Sequence, residues 1–173
     1  MADSKSKKDG GRTPVHLEIS MKSVTANKRG ISVLLKLHNP ADRALHYVSE
    51  VRGLKYEPAS KTLTVIMSDE GRVLVPGPME KEPVTRSIDP KADAELELQL
   101  PPTIVKLAET PSPQGALRFE EQAISEAEHI DVRMAWSDTP YYIDPRPGDP
   151  MRTGLQRWQR DIAHVSHRMR PAG

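Results

Sequence analysis

Hydrophobic and polar residues alternate with a period of two along most of this chain. The alternation is clearest in residues 94–100, where leucines alternate with Glu95, Glu97 and Gln99, and in residues 130–136. A period of two is typical of strands with one face in a core and the other in water. Strands are predicted at residues 15–21, 31–38, 45–51, 62–67, 73–75, 84–88, 94–100, 116–119 and 130–136.

Proline, glycine and asparagine punctuate these strands and predict turns and loops between them. Turns are indicated at 27–30, at Asn39-Pro40 and at 69–72, and loops at 76–83 and 108–115. With no substantial helix before residue 144, this pattern predicts an all-β fold, an antiparallel β-sandwich. The layout resembles the immunoglobulin or fibronectin type III architecture, but it lacks the cysteine pair and core tryptophan spacing of antibody domains. A barrel with the same number of strands is the alternative.

The last twenty residues follow a different period. Apolar residues recur there at spacings of three and four: Leu155, Trp158, Ile162, Val165 and Met169. At about 100° per residue they share one face of a helix. The opposite face would carry Arg157, Arg160, His164, His167 and Arg168. We therefore expect a cationic amphipathic α-helix over residues 151–170.

The chain divides into four predicted parts. Residues 1–13 form a polar leader, which we expect to be disordered because it offers little apolar surface to bury. Residues 14–143 form the β-sandwich domain. Residues 144–150 contain three prolines and form a stiff linker. Residues 151–170 form the terminal helix.

Composition limits the environment and the partners. The chain of 173 residues has a net charge of +1, which argues against binding nucleic acid through bulk charge alone. The charge is uneven, because residues 89–131 carry three Lys and Arg against ten Asp and Glu. There is no cysteine, no secretory signal and no apolar run of membrane-spanning length, so we expect a soluble cytoplasmic protein.

Three roles are open for the terminal helix. It could pack onto its own sandwich, dock into a groove of a protein partner or a second copy, or lie on a membrane surface, which is the least favoured. A separate segment before the linker is rich in aromatic residues and contains Trp136, Tyr141 and Tyr142. We expect Trp136 in the core. The partner-binding residues predicted from these two segments are Leu155, Trp158, Ile162, Val165, Met169, Tyr141 and Tyr142.

No motif in the sequence indicates catalysis or a cofactor. Ser137, Asp138 and His129 lie close in sequence, but no nucleophile elbow positions the serine. His164 and His167 would lie one helical turn apart, yet no third metal ligand is nearby. No phosphate-binding loop or dinucleotide fingerprint is present, so we expect no catalytic residue, cofactor, metal or small-molecule ligand. The sequence thus favours a non-catalytic interaction or assembly module. An enzyme whose site is assembled from loops is the alternative.

Overall fold

The computed structural model describes residues 15–68, 84–110, 112–140 and 161–169. These residues form an all-β structure with no helix. The strands are β1 (Glu18–Asn27), β2 (Gly30–His38), β3 (Leu45–Val48), β4 (Gly53–Glu57), β5 (Thr62–Met67), β6 (Thr85–Ile88), β7 (Asp93–Leu100), β8 (Thr103–Leu107), β9 (Phe119–Ala123), β10 (His129–Ser137) and β11 (Asp161–Arg168). No helix in this part of the chain is long and apolar enough to cross a bilayer.

The strands form three sheets. The first has the order β1-β2-β7, and the second has the order β4-β5-β10-β3-β6, with β11 also paired to β10. The third is the β8–β9 hairpin. All described pairings are antiparallel except that of β5 with β10, which is parallel over six residue pairs from Thr62↔His129 to Met67↔Met134. The prediction of a purely antiparallel sandwich was therefore wrong at this pairing.

One hydrophobic cluster joins the first two sheets. The alternation predicted from the sequence places every second residue of β2 and β7, from Ile31 to Leu37 and from Leu96 to Leu100, on the inner face of the first sheet. The inner face of the second sheet supplies alternate residues of β5 and β10, such as Val65 and Val132, both fully buried. Two sheets that share one core are consistent with a β-sandwich.

The predicted C-terminal helix is wrong in the part of it that the structure describes. Residues 161–168 form β11, which pairs antiparallel with β10 from Trp136↔Asp161 to His129↔Arg168. Ala163, Val165 and Met169 lie an even number of residues apart, with polar residues between them, so the local pattern fits a strand as well as a helix. Without β11, the edge of β10 opposite β5 would be unpaired over most of its length. Pairing with β11 satisfies the backbone N–H and C=O groups along that edge, which favours a strand over a helix in this segment. β11 also contacts β1 of the first sheet.

The strand predictions at β2, β5, β6, β7 and β10 are confirmed, and β1 and β3 are confirmed with shifted ends. β4 and β8 were not predicted. The strand predicted at 116–119 was wrong in its position, since it overlaps β9 only at Phe119. The predicted turn before β2 is also confirmed. There Gly30 has φ +127°, and a Cβ on it would lie 1.9 Å from the carbonyl oxygen of Leu100. The leader 1–13, the strand 73–75, the loop 76–83 and the linker 144–150 lie outside the described residues.

Asn39 joins two turns at one end of the sandwich. Its side chain is fully buried. The amide nitrogen donates to the carbonyl oxygens of Arg43 at 2.8 Å, Ile88 at 3.0 Å and Asp89 at 3.1 Å, and the amide oxygen accepts from the N–H of Ala41 at 2.9 Å. The turn after β2 is thereby fixed to the turn between β6 and β7.

Candidate functional site

The β8–β9 hairpin carries an apolar surface that faces solvent. Leu107 pairs with Phe119 and Val105 with Glu121. Because successive side chains alternate between faces, Thr103, Val105 and Leu107 of β8 share a face with Phe119, Glu121 and Ala123 of β9. Ile104, on the opposite side of β8, packs against the core. One side of the hairpin is thus anchored and the other is presented outward.

Four large apolar side chains make up this outward surface, which we call the hairpin face: Val105, Leu107, Leu117 and Phe119. They are 69%, 49%, 67% and 62% exposed, and Val84, at 53%, is the other exposed large hydrophobic among the described residues. Phe119 is the single phenylalanine of the chain. Isolated exposed apolar residues are ordinary, but four clustered on one small hairpin indicate a contact surface.

Polar and mainly acidic side chains surround the hairpin face. Thr103 donates to the Glu121 carboxylate at 2.8 Å. Arg118 and Glu120 lie 3.8 Å apart on the opposite side of the hairpin, with both side chains about half exposed. Glu109 follows β8 and is exposed as well. An apolar centre with a polar rim is the usual anatomy of a protein–protein interface.

The structure distributes the described partner-binding residues differently from the sequence prediction. Ile162 and Val165 are half-buried and pack against the core cluster. They lie three apart on β11, so their side chains point to opposite faces of the sheet. Met169 is buried, and its N–H donates to the carbonyl oxygen of Glu128 at 2.7 Å. These residues therefore pack within the domain and do not form the single stripe expected of a helix.

The other predicted partner-binding residues, Leu155, Trp158, Tyr141 and Tyr142, lie outside the described residues. The expectation that Trp136 is a core residue is confirmed, since it is 7% exposed and belongs to the core cluster. Its ring meets the His16 ring edge-on with a centroid distance of 6.0 Å. The membrane-surface alternative depended on a helix and loses its basis in residues 161–168.

A serine, a histidine and an aspartate meet on the outer face of the β10–β11 pair. Ser166 donates to Asp131 at 2.6 Å, and its hydroxyl lies 3.3 Å from Nε2 of His164. Asp131 is 4.0 Å from the same Nε2 atom. In a catalytic triad the carboxylate orients the histidine through Nδ1 while the serine meets Nε2. Here both groups lie on one nitrogen and the serine proton points to the carboxylate, so the arrangement is a surface hydrogen-bond cluster.

The outer face of the first sheet carries cross-strand ion pairs. Nδ1 of His38 lies 2.6 Å from Asp93, and Lys22 lies 2.5 Å from Glu95. A shallow groove of about 580 Å³ runs beside His38 and Asp93. No three metal-ligating side chains come together within the described ranges. His164 and His167 point to opposite faces of β11, so they do not form the pair expected on a helix.

Two titratable groups near the end of β3 have shifted pKa values. Burial lowers the pKa of His46 from its ordinary value of 6.5, and the nearby Asp138 opposes the shift. Burial raises the pKa of the Tyr47 phenol, and Arg86 opposes that shift. In both cases desolvation favours the neutral form of the group.

Comparison with known proteins found no family model, no curated protein and no solved structure that matches this chain. Sequence reasoning did not find the hairpin face. Its apolar residues are of the types that usually fill a core, and the sequence carried no signal of their exposure.

Proposed function

We propose that this protein is a non-catalytic protein–protein interaction or assembly module that contacts its partner through the hairpin face. The observation that carries the proposal is the clustering of four exposed apolar side chains on β8, β9 and the residue Leu117 beside them. The sequence had predicted partner contacts through the terminal helix and through Tyr141 and Tyr142. The hairpin takes the place of the helix in this proposal.

The energetics of burial support a contact at this surface. Full burial of a Val, Leu or Phe side chain contributes about 1.5–3 kcal/mol, so each half- to two-thirds-exposed residue of the hairpin face offers about 1–2 kcal/mol to a partner. The acidic rim opposes contact with phosphate backbones and favours a protein partner over nucleic acid. We further propose that the module works in the cytoplasm, since a chain without cysteine suits a reducing compartment.

The test is a comparison of two exposed apolar positions. Phe119→Ser removes the largest side chain of the hairpin face, and Val84→Ser removes a similarly exposed apolar side chain elsewhere. Each tagged variant is used for quantitative affinity capture from cells, after circular dichroism has shown unchanged folding. We expect Phe119→Ser to lose at least tenfold of the captured partner and Val84→Ser to retain it. Equal capture by Phe119→Ser and the unmodified protein would exclude the hairpin face as the contact surface.

A further inference from the structure

We propose that one partner of the hairpin is a second copy of this chain, joined by antiparallel pairing of β8 with the second copy's β8 around Val105. This inference rests on the proposed function, because it names the partner of the same hairpin. It specifies the edge of β8 as the contact and a two-fold axis at Val105.

Among the described strands, β8 is paired along one edge only. The N–H of Ala108 donates to the carbonyl oxygen of Arg118 at 2.8 Å, and Pro102 accepts from the N–H of Ile124 at 3.1 Å. Backbone groups of successive residues in a strand point to opposite edges. Thr103, Val105 and Leu107 therefore direct their N–H and C=O groups away from β9, and no described strand pairs with that side of β8.

A two-fold axis at Val105 satisfies these groups without placing like charges directly opposite each other. It places Val105 opposite the second copy's Val105 and Thr103 opposite the second copy's Leu107, which gives about six inter-chain hydrogen bonds. On the other face, Lys106 lies opposite the second copy's Ile104. The two Lys106 residues are diagonal neighbours, and each is paired with Glu120 of its own hairpin. No residue therefore faces a like charge directly, and the apolar side chains of two copies join on one face.

Three other strand edges in the described sheets, those of β7, β4 and β9, lack this complementarity. β7 pairs with β2 alone and presents Glu95 and Glu97, while β4 pairs with β5 alone and has Lys55 at its centre. Pairing two copies at either strand brings like charges close together, which is destabilising. Pairing through β9 would bring its glutamates, Glu120 and Glu121, close to those of the second copy. Of these four edges, β8 is the one at which charge favours a second copy.

The hairpin itself gains from the pairing. A two-stranded sheet is marginally stable in water, whereas three or more strands with an apolar face are stable. The β8–β8 contact converts two hairpins into one four-stranded sheet. Its outer face is continuous from Phe119 through Leu107 and across the two-fold axis. Because the paired edge is five residues long, we expect a reversible dimer rather than an obligate one.

Disulfide trapping tests the register directly, since the chain has no cysteine of its own. Two Val105→Cys copies would place their Cα atoms about 5.5 Å apart, within the range that a disulfide bridges. Leu107→Cys is the matched control on the same strand and face. Its two copies would lie about 14 Å apart, beyond disulfide reach. The double variant Thr103→Cys/Leu107→Cys restores an opposed pair.

Under mild oxidation of the full chain we expect Val105→Cys and the double variant to form covalent dimers at least tenfold faster than Leu107→Cys. Sedimentation of the unmodified chain should show a concentration-dependent dimer that Val105→Glu weakens at least tenfold. Equal trapping of Val105→Cys and Leu107→Cys, or a chain that stays monomeric at roughly 0.5 mM, would overturn the inference. If trapping fails while Phe119→Ser still loses its captured partner, the self-pairing is wrong and the proposed function stands. If both fail, the proposed function is wrong as well.

Discussion

Replacement of the buried Asn39 side chain should destabilise the protein in a way that can be calculated from its hydrogen bonds. In Asn39→Ala, the Ile88 carbonyl and the Ala41 N–H lose their side-chain partner inside the protein. The Arg43 and Asp89 carbonyls belong to exposed residues that water can reach. Each buried group left unpaired costs roughly 1–3 kcal/mol, so we expect a loss of about 3 kcal/mol in the free energy of unfolding.

Asn39→Asp tests the direction of these hydrogen bonds. The shape of the side chain is retained, but a carboxylate oxygen replaces the donor that faces three carbonyl oxygens. A buried charge among acceptors should cost more than the alanine substitution at pH 7. Protonation of this carboxyl group returns one donor and removes the charge. Because burial raises the folded-state pKa of such a group, the deficit of Asn39→Asp relative to the unmodified protein should shrink as the pH falls.

The assay is guanidinium denaturation followed by tryptophan fluorescence, with Asp42→Asn as the control in the same turn. Asp42 is exposed, so its substitution should stay within about 0.5 kcal/mol. A loss below about 1 kcal/mol for Asn39→Ala would refute the argument. So would an Asn39→Asp variant that is more stable than Asn39→Ala at pH 7.

Three further outcomes follow from the structure. Gly30→Ala should lower the free energy of unfolding by about 3 kcal/mol, because its Cβ would overlap the Leu100 carbonyl. Gly115, at φ +76°, has open space around it, so Gly115→Ala should cost about 1 kcal/mol, and equal losses in chemical denaturation would contradict this. The pKa of His46 is lower in the folded protein than in the unfolded chain, so the unfolded chain binds a proton more readily as the pH falls through 6.5. The stability of the folded protein should therefore fall in that range, and His46→Gln should remove this part of the fall in thermal melts. Deletion of residues 161–173 removes β11 and should lower the Tm by about 10 °C or more, and an unchanged Tm would show that β11 contributes little.

Most of the strands that were predicted correctly have a strong inward alternation, although β6 does not. In β7 each buried leucine is separated from the next by an exposed polar residue, so the sequence alone identifies the strand and its inner face. β9 has the sequence Phe-Glu-Glu-Gln-Ala, and none of its residues is buried. It therefore has no hydrophobic period to detect. β4 is short, and the strand is held mainly by its pairing with β5.

The C-terminal segment was assigned incorrectly because local periodicity does not record which edge of a sheet needs a partner. Ile162 and Val165 fit both a helical stripe and the two faces of a strand. The parallel β5–β10 pairing was equally beyond sequence reasoning, since it joins residues far apart in the chain. The hairpin face was missed for another reason. Exposure depends on what surrounds a side chain, so Phe119 and Val105 look like core residues until the neighbouring strands are in place.

The position of β10 between distant segments has a consequence for biosynthesis. β10 leaves the ribosome before β11, so the longest edge of the second sheet is unpaired while the nascent chain is still being made. Contacts between residues distant in sequence also form slowly, which lengthens that interval. Until β11 pairs, the backbone N–H and C=O groups along this edge of β10 have no strand partner, so a stalled or truncated translation product would be prone to aggregation through this edge.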